Sequence, residues 1–323
     1  MNESRGLLDL IIRRLPGFSI ADKIRLCGCF NREQDLVRAS HRDIAAVLDK
    51  KGKTEPWEMD ALHKEAEADA RNCSLRGIKM AAYTDAAYPP LLRELYDPPV
   101  VLFYLGVLPN PEQPLIAMVG TRKPSGIGSA QAYAIARELA LSGLAVVSGL
   151  ALGIDSMAHR GNLDGGGRTI AVLGSGLDRI YPAGNRVLAH RILDRQGMLC
   201  SEYPPGTVPY RWHFPARNRI IAGLARGTLV VEAPASSGAL ITARFAMEQG
   251  RDVWVAQGAL ASPQGEGTLG LAQDGAMVIA GGEDIITEWA LPHNNPQYSD
   301  VGTEGNRLAK AVSQSLGISI KGL

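Results

Sequence analysis

The stretch Leu115-Ile-Ala-Met-Val-Gly-Thr-Arg-Lys-Pro-Ser-Gly-Ile-Gly128 decides how this chain folds. An apolar run, 115–119, ends abruptly in glycine and polar residues, and a helical pattern begins at Gly126. A buried strand that gives way to such a loop before a helix leaves backbone N–H groups facing open space, where the helix dipole favours negative charge. Arg122 and Lys123 add full positive charges in the same loop. The stretch therefore predicts a strand–loop–helix unit that holds a phosphate or another anion.

The same alternation of apolar runs and helical patterns continues along the chain. The predicted strands are 115–119, 144–148, 169–173, 198–202, 228–232, 252–256 and 276–280. The predicted helices are 126–142, 154–164, 186–197, 218–226 and 239–249. Near-continuous apolar strands between helices are typical of a parallel sheet covered on both faces. The fold class is therefore α/β, with a doubly wound, mostly parallel sheet.

Composition divides the chain into three parts. Residues 1–77 are predicted to form a small helical domain, in which Leu15-Pro16-Gly17-Phe18 resembles a helix-hairpin-helix or sterile-alpha-motif-like turn. Such a turn can present N–H groups to a DNA phosphate, and a packing module without a ligand explains the pattern equally well. Residues 78–289 carry the α/β pattern, and residues 290–323 form a polar tail.

The overall charge of the chain does not indicate a nucleic-acid-binding protein. Lys and Arg number 34 against 33 Asp and Glu, so any such function must depend on a local patch. The N-terminus lacks the apolar core of a signal peptide, and no apolar run reaches the roughly 18–20 residues that span a bilayer. The four cysteines show no paired spacing, which predicts reduced thiols, no metal site and a cytoplasmic location.

Small polar residues follow nearly every predicted strand. In doubly wound sheets, ligands bind beyond the carboxyl ends of the strands. Turns alone also require glycine, but several such ends along one rim favour an extended polar groove. The strand ends are 120–122, 148–149, 174–176, 202–206, 232–238 and 257–258. Gly174-Ser-Gly-Leu-Asp178 lacks the third glycine of a dinucleotide fingerprint, so no nucleotide cofactor is predicted.

The segment Tyr210-Arg-Trp-His-Phe-Pro-Ala-Arg-Asn-Arg219 interleaves arginines with aromatic residues. Arginine neutralises phosphates and aromatic faces stack on exposed bases, a combination that suits a single strand. The alternative is that the rings pack into the core while the arginines pair with Glu202 or Glu232. Phosphate contact is favoured for Arg217 and Arg219, because Asn218-Arg219 is expected to open a helix.

Catalytic residues are harder to find. Asp155 and His159 are four residues apart, hence on one helix face, and could form half of an acid–base pair. The other interpretation is that both brace the loop at 148–154. No nucleophile elbow, phosphate-binding lysine motif, metal-binding helix motif or carboxylate cluster is present, so no catalytic residue is predicted.

These motifs together resemble the bacterial DNA-processing protein A family (DprA/Smf) over about residues 83–289. The matching stretches are Val119-Gly-Thr-Arg122, Val147-Ser-Gly-Leu-Ala-Leu-Gly-Ile-Asp155, Ala158-His-Arg-Gly161, Thr169-Ile-Ala-Val-Leu-Gly174, Gly176-Leu-Asp-Arg-Ile-Tyr-Pro182, Ser201-Glu-Tyr-Pro-Pro-Gly206, Phe214-Pro-Ala-Arg-Asn-Arg-Ile-Ile-Ala-Gly223, Val230-Val-Glu-Ala233, Ser237-Gly-Ala-Leu-Ile-Thr-Ala-Arg244 and Glu248-Gln-Gly-Arg-Asp252.

The resemblance implies an extended Rossmann-like domain that binds single-stranded DNA without catalysing a reaction. It also implies a homodimer that protects incoming strands in natural transformation and helps to load the RecA recombinase. It assigns ten residues to DNA or phosphate binding: Gly120, Thr121, Arg122, Ser148, Gly149, Asn185, Arg186, Arg217, Asn218 and Arg219. The strand-end residues Ser237 and Gly238 complete the predicted binding set.

Two departures from the family pattern qualify the resemblance. Leu269 and Gly270 stand where the family usually has an asparagine and a basic residue, and the tail after Trp289 is too short for the winged-helix domain of many members. A different function, a nucleotide phosphoribohydrolase of the lysine-decarboxylase-like group, is the alternative. That group carries Pro-Gly-Gly-x-Gly-Thr followed by a glutamate, whereas this chain reads Ala233-Pro-Ala-Ser-Ser-Gly238.

Overall fold

A computed structural model of the chain describes residues 3–49 and 57–291. The predicted polar tail, 290–323, lies outside the described residues except for its first two positions. Within the described ranges no helix is long and apolar enough to cross a membrane.

Nine strands of the described chain form one sheet. They are β1 (Lys79–Ala82), β2 (Val101–Gly106), β3 (Leu115–Val119), β4 (Ala145–Ser148), β5 (Ile170–Leu173), β6 (Met198–Ser201), β7 (Gly227–Val230), β8 (Asp252–Ala256) and β9 (Met277–Ile279). The helices are α1 (Glu3–Arg14), α2 (Ile20–Cys29), α3 (Glu33–Arg38), α4 (His41–Val47), α5 (Met59–Leu75), α6 (Pro90–Arg93), α7 (Gly126–Leu141), α8 (Ile154–Asp164), α9 (Arg186–Asp194), α10 (His213–Leu224), α11 (Gly238–Glu248), α12 (Glu266–Gln273) and α13 (Gly282–Glu288).

The strand order is β1-β2-β6-β5-β4-β3-β7-β8-β9, which confirms the predicted doubly wound sheet. Seven neighbouring strands run parallel, in the order β6, β5, β4, β3, β7, β8 and β9. Strands β1 and β2 form an antiparallel edge beside β6. After β3 the chain builds outward through β4, β5 and β6, then returns to place β7 on the other side of β3. The switch point of the sheet therefore lies between β3 and β7, where such folds bind ligands.

Each predicted strand has an observed counterpart, but one predicted helix begins at a different residue and one observed helix has no predicted counterpart. The helix predicted over 218–226 begins at His213, five residues earlier. Helix α12 covers most of the segment 267–276, where the sequence pattern predicts no helix. Leu269 and Gly270 are therefore helix residues, and neither lines the cleft described below.

The N-terminal helices pack directly on one face of the sheet. Leu8 and Ile11 of α1 share a buried cluster with Val101, Phe103 and Leu173 of the strands. On the opposite face α10 and α11 cover the sheet in a second cluster. Helices of the predicted domain 1–77 therefore share one apolar core with the α/β part of the chain.

The Leu15–Phe18 turn leads into a helix start that satisfies its own donors. Gly17 adopts the left-handed backbone region, with φ of 73°. The Asp22 carboxylate accepts hydrogen bonds from the backbone N–H of Ser19 at 2.9 Å and from its hydroxyl at 2.6 Å. Ser19 and Asp22 therefore form a capping box that satisfies the donors at the start of α2 within the chain.

A buried carboxylate in α1 predicts a pH dependence of stability. Asp9 is 1% exposed, and Arg5 Nε lies 3.6 Å from its Oδ2 atom. Burial raises the pKa of this carboxyl to about 6. The ionised form therefore costs stability above pH 6, and the cost disappears as the pH falls and the carboxyl takes up a proton.

We expect Asp9→Asn to raise the free energy of unfolding by roughly 2 kcal/mol at pH 7.5, because one pKa unit corresponds to about 1.4 kcal/mol. Urea unfolding at pH 7.5 and pH 5.0 measures the difference, which should shrink at the lower pH. Asp194→Asn, at an exposed position of α9, is the control and should show no such trend. A difference for Asp9→Asn that does not change with pH contradicts the assignment.

Candidate nucleic-acid interface

A cleft of about 760 Å³ lies at the carboxyl ends of the strands, against the switch point. Three segments border it: the loop 120–123 after β3, the segment 209–218 that leads into and begins α10, and residues 237–239 at the start of α11. We call it the switch-point cleft. It is where the sequence predicted an extended polar groove.

The charges that line the switch-point cleft are mostly positive. Among its described lining residues the cations are Arg122, Lys123, Arg211 and Arg217, and the one carboxylate is Asp155. Asp155 is 7% exposed, whereas Arg122, Lys123 and Arg211 are exposed to solvent. A concave surface with this excess of cations concentrates anionic ligands.

The loop after β3 is anchored by a fully buried carboxylate, that of Glu232. Ser125 donates to it from its N–H and from its hydroxyl, each at 2.7 Å, and the hydroxyl of Ser262 donates at 2.5 Å. The N–H of Thr121 donates to the Glu232 carbonyl at 2.7 Å. A Cβ atom at Gly128 would meet the carboxylate at 2.4 Å, so the first turn of α7 needs glycine there.

This anchor corrects the expectation that the start of α7 holds a phosphate. The anion at that helix N-terminus is the Glu232 side chain, which comes from the end of β7. The exposed charges that remain in this loop are Arg122 and Lys123. The Arg122 guanidinium lies 5.7 Å from the centre of the Phe214 ring, which also lines the cleft.

The loop after β4 faces inward. Ser148 is fully buried, and its hydroxyl donates to the Met118 carbonyl at 2.6 Å. The Gly149 N–H donates to Asp155 at 3.0 Å, and its carbonyl accepts from Arg217 at 2.8 Å. A side chain at Gly149 would meet the Arg217 guanidinium at 2.6 Å. Gly149 lines a small recess beside the cleft, and Ser148 does not line the cleft.

Arg217 acts as an internal brace with one side open to the cleft. It is 5% exposed, and its Nη1 atom donates to the carbonyls of Gly149 and Val172. Burial lowers the pKa of this guanidinium to about 10, so it stays charged at neutral pH. Burial raises the pKa of Asp155, and the positive charge of Arg217 opposes this rise.

Arg219 is placed differently from the expectation. It lies in the second turn of α10 and is 7% exposed. Its Nε atom is 2.8 Å from Asp97, and its Nη2 atom is 2.6 Å from Glu202. The pairing with Glu202 matches the alternative considered from the sequence. Arg219 does not line the cleft, because two carboxylates hold its side chain on the inner side of α10.

The remaining predicted residues divide between the cleft and its support. Asn218, Ser237 and Gly238 line the cleft, and the Asn218 amide donates to the Gly238 carbonyl at 3.2 Å. Asn185 is buried and donates to the Leu150 carbonyl at 2.8 Å, where the backbone has a positive φ of 56°. Arg186 is exposed at the start of α9 and does not line the cleft.

Asp155 and His159 do not form an acid–base pair that faces the cleft. His159 is fully buried, with Nδ1 2.7 Å from the Thr169 hydroxyl, and burial lowers its pKa to about 3. Asp155 braces the loop at 148–154 through the N–H groups of Gly149 and Ala151. Within the described ranges no group of three or more His, Cys, Asp or Glu side chains could hold a metal ion.

Two cations of the cleft were left out of the predicted set. The sequence pattern gives Lys123 only as an added charge of the loop after β3, and Arg211 only as part of the aromatic segment. Arg211 lies three residues before Phe214, and both line the cleft, so its place within the aromatic segment is the signal that could have found it.

Comparison with known proteins identifies the relatives of this chain. The family described as DNA recombination-mediator protein A matches residues 79–290. The DNA processing protein DprA of Bacillus subtilis is 42% identical over 228 residues, which cover 70% of this chain and 75% of that protein.

Two solved structures have the same fold at sequence identities above 25%. The DNA processing protein A of Streptococcus pneumoniae superposes with a TM-score of 0.70 and 34% identity, covering 87% of this chain and 97% of that one. The protein from Helicobacter pylori, solved for its single-stranded DNA binding mode, gives a TM-score of 0.58 and 28% identity. That match covers 66% of this chain and 96% of the other.

The Glu232 anchor can be tested by unfolding. We expect Glu232→Ala to lower the free energy of unfolding by about 2–4 kcal/mol, because it removes a buried carboxylate and leaves the half-buried donors of Ser125 and Ser262 without their shared acceptor. Glu232→Gln keeps an acceptor of the same shape and should lose less than half as much. Equal losses for the two variants in urea titrations contradict the assigned role of the carboxylate.

Proposed function

The chain belongs to the DNA recombination-mediator protein A family, and we propose that it binds single-stranded DNA in the switch-point cleft. The observation that carries the proposal is the charge of the cleft. Three exposed cations and one buried guanidinium line a groove whose one described carboxylate is buried beneath the surface. A phosphate backbone is the ligand that such a surface attracts most strongly.

The proposed contacts come from three sides of the cleft. Arg122 and Lys123 neutralise phosphates from the loop after β3, next to the backbone of Gly120 and Thr121. Arg211 does so from the segment before α10. On the remaining side, where a Cβ at Gly238 would meet no atom within 4 Å, a phosphate can approach the start of α11 closely.

The other residues predicted from the sequence support these contacts from behind. Gly149 and Asn185 hold the loop after β4, and Arg217 connects that loop to α10. Arg219 fixes α10 to Asp97 and Glu202. We propose that these residues set the shape of the cleft, and that only Arg217 also reaches a phosphate.

Binding without a chemical step fits a role in recombination. We propose that the protein protects incoming single strands during natural transformation and passes them to a RecA-type recombinase, acting as a homodimer in the cytoplasm. The buried, neutral His159 supports a non-catalytic role, because it does not line the cleft. Asp155 lines the cleft, but its carboxylate is occupied by the N–H groups of Gly149 and Ala151.

Salt-dependent binding of a mixed-sequence 20-mer tests the proposal. We expect Arg122→Ala and Arg211→Ala each to weaken binding about tenfold and to reduce the slope of log K against log salt by about 0.7 per lost phosphate contact. Fluorescence anisotropy across a salt series measures both quantities. These losses should not depend on the base sequence.

Arg195→Ala is the matched control. Arg195 is exposed and follows α9, at the amino end of β6, on the opposite rim of the sheet. It should change neither the affinity nor the slope. If Arg195→Ala weakens binding as much as Arg122→Ala, or if both cleft variants bind like the wild type, the proposed site is wrong.

A further inference from the structure

An aromatic pair stands exposed at the edge of the switch-point cleft. Trp212 is 62% exposed and Tyr210 is 46% exposed. Their rings are stacked, with centroids 4.7 Å apart and planes inclined by 6°. Large aromatic side chains usually bury their surface, so an exposed stacked pair marks a site of interaction.

The aromatic pair, Tyr210 and Trp212, has a firm base. His213 contacts both rings edge-on, with centroids 5.3 Å from Tyr210 and 6.0 Å from Trp212. His213 is itself 9% exposed and stacks on Tyr203 at 3.9 Å. The pair is therefore held in place from below, while each ring has one face turned away from its stacking partner.

The position of the pair connects it to the phosphate contacts. Arg211, between the two aromatic residues, lines the cleft, as does Phe214, two residues after Trp212. A strand whose phosphates contact Arg211 and Arg122 passes beside the pair. Consecutive phosphates of a single strand are separated by one nucleotide, so a base next to these contacts can reach the exposed ring.

We propose that Trp212, supported by Tyr210, is a base-stacking platform that makes the cleft prefer single-stranded over double-stranded DNA. This proposal rests on the proposed function and adds a source of specificity to it. Phosphate contacts alone do not select a single strand, because a duplex also presents phosphates, at a higher charge density. An aromatic face does, because the bases of a duplex are stacked on each other and a free strand exposes them.

The occupant is a nucleobase of any sequence. Every base has a π-face, so stacking on an indole selects for unpaired bases without reading their identity. The flanking cations favour a polyanionic ligand over an apolar segment of a protein, which would bring no charge to Arg211 and Arg122.

Three oligonucleotides of equal length separate stacking from phosphate binding. They are a 20-mer of thymidine, a 20-mer of abasic sites with the same number of phosphates, and a 20-base-pair duplex. We expect Trp212→Ala to weaken binding of the thymidine strand about tenfold, a loss typical of one base stacked on an aromatic ring. The affinity of Trp212→Ala for the abasic strand and for the duplex should stay within about twofold of the wild-type affinity. The slope of log K against log salt should not change.

Trp212→Phe is the conservative control and should recover most of the affinity for the thymidine strand. Indole fluorescence supplies a second measurement, because stacking of a base on Trp212 should quench emission in the wild type. The change should be absent from Trp212→Phe, since Trp254 and Trp289 are buried and Trp57 packs edge-on against Phe18, outside the cleft. Since Trp212 is exposed, both variants should unfold at the same urea concentration as the wild type.

The possible outcomes are distinct. Equal weakening of the thymidine and abasic strands by Trp212→Ala, or no weakening of either, overturns the platform while leaving phosphate binding intact. Failure of the wild-type protein to bind the thymidine strand at all overturns the proposed function instead. Unchanged DNA binding combined with loss of a protein complex would assign the aromatic pair to a protein partner and overturn the proposal.

Discussion

The buried carboxylate of Glu232 joins the two halves of the sheet where the strand order reverses. It leaves the end of β7, enters the first turn of α7 and accepts hydrogen bonds from Ser125 and Ser262. The adjacent carbonyl receives the N–H of Thr121. A charge that is taken out of water is stable only when several donors surround it, so these loops are held in one arrangement. That arrangement leaves Arg122 and Lys123 on the surface of the cleft.

The same division between inner and outer charges recurs in α10. Arg217 and Arg219 are buried and bonded to carbonyls or carboxylates, so their main contribution is to fix the helix relative to β4, β5 and β6. Arg211 precedes the helix and is exposed. A buried arginine has lost its hydration and its conformational freedom on folding. An exposed arginine keeps its hydration and its conformational freedom until a ligand binds. The proposed interface is thus a thin layer of mobile cations on a rigid, internally neutralised base.

The sequence was sufficient for the seven parallel strands but not for the direction of individual side chains. Strands of the parallel sheet are buried on both faces, so their apolar runs and the polar residues that follow them were visible directly. The start of α10 was not visible, because His213 and Phe214 interrupt the pattern and a proline lies at position 215. The burial of Arg219 depends on Asp97, which is 122 positions away in the chain. A long-range ion pair of this kind leaves no periodic signal.

Amide hydrogen exchange with and without a single-stranded 20-mer tests the central claim, that a strand lies across the switch point. The account predicts protection of the segments 120–124 and 209–216, which border the cleft from opposite sides. Protection should be weaker in Arg122→Ala at the same total DNA concentration. Protection confined to the helices at 3–49, with neither cleft segment affected, would place the DNA on the N-terminal helices and contradict the account.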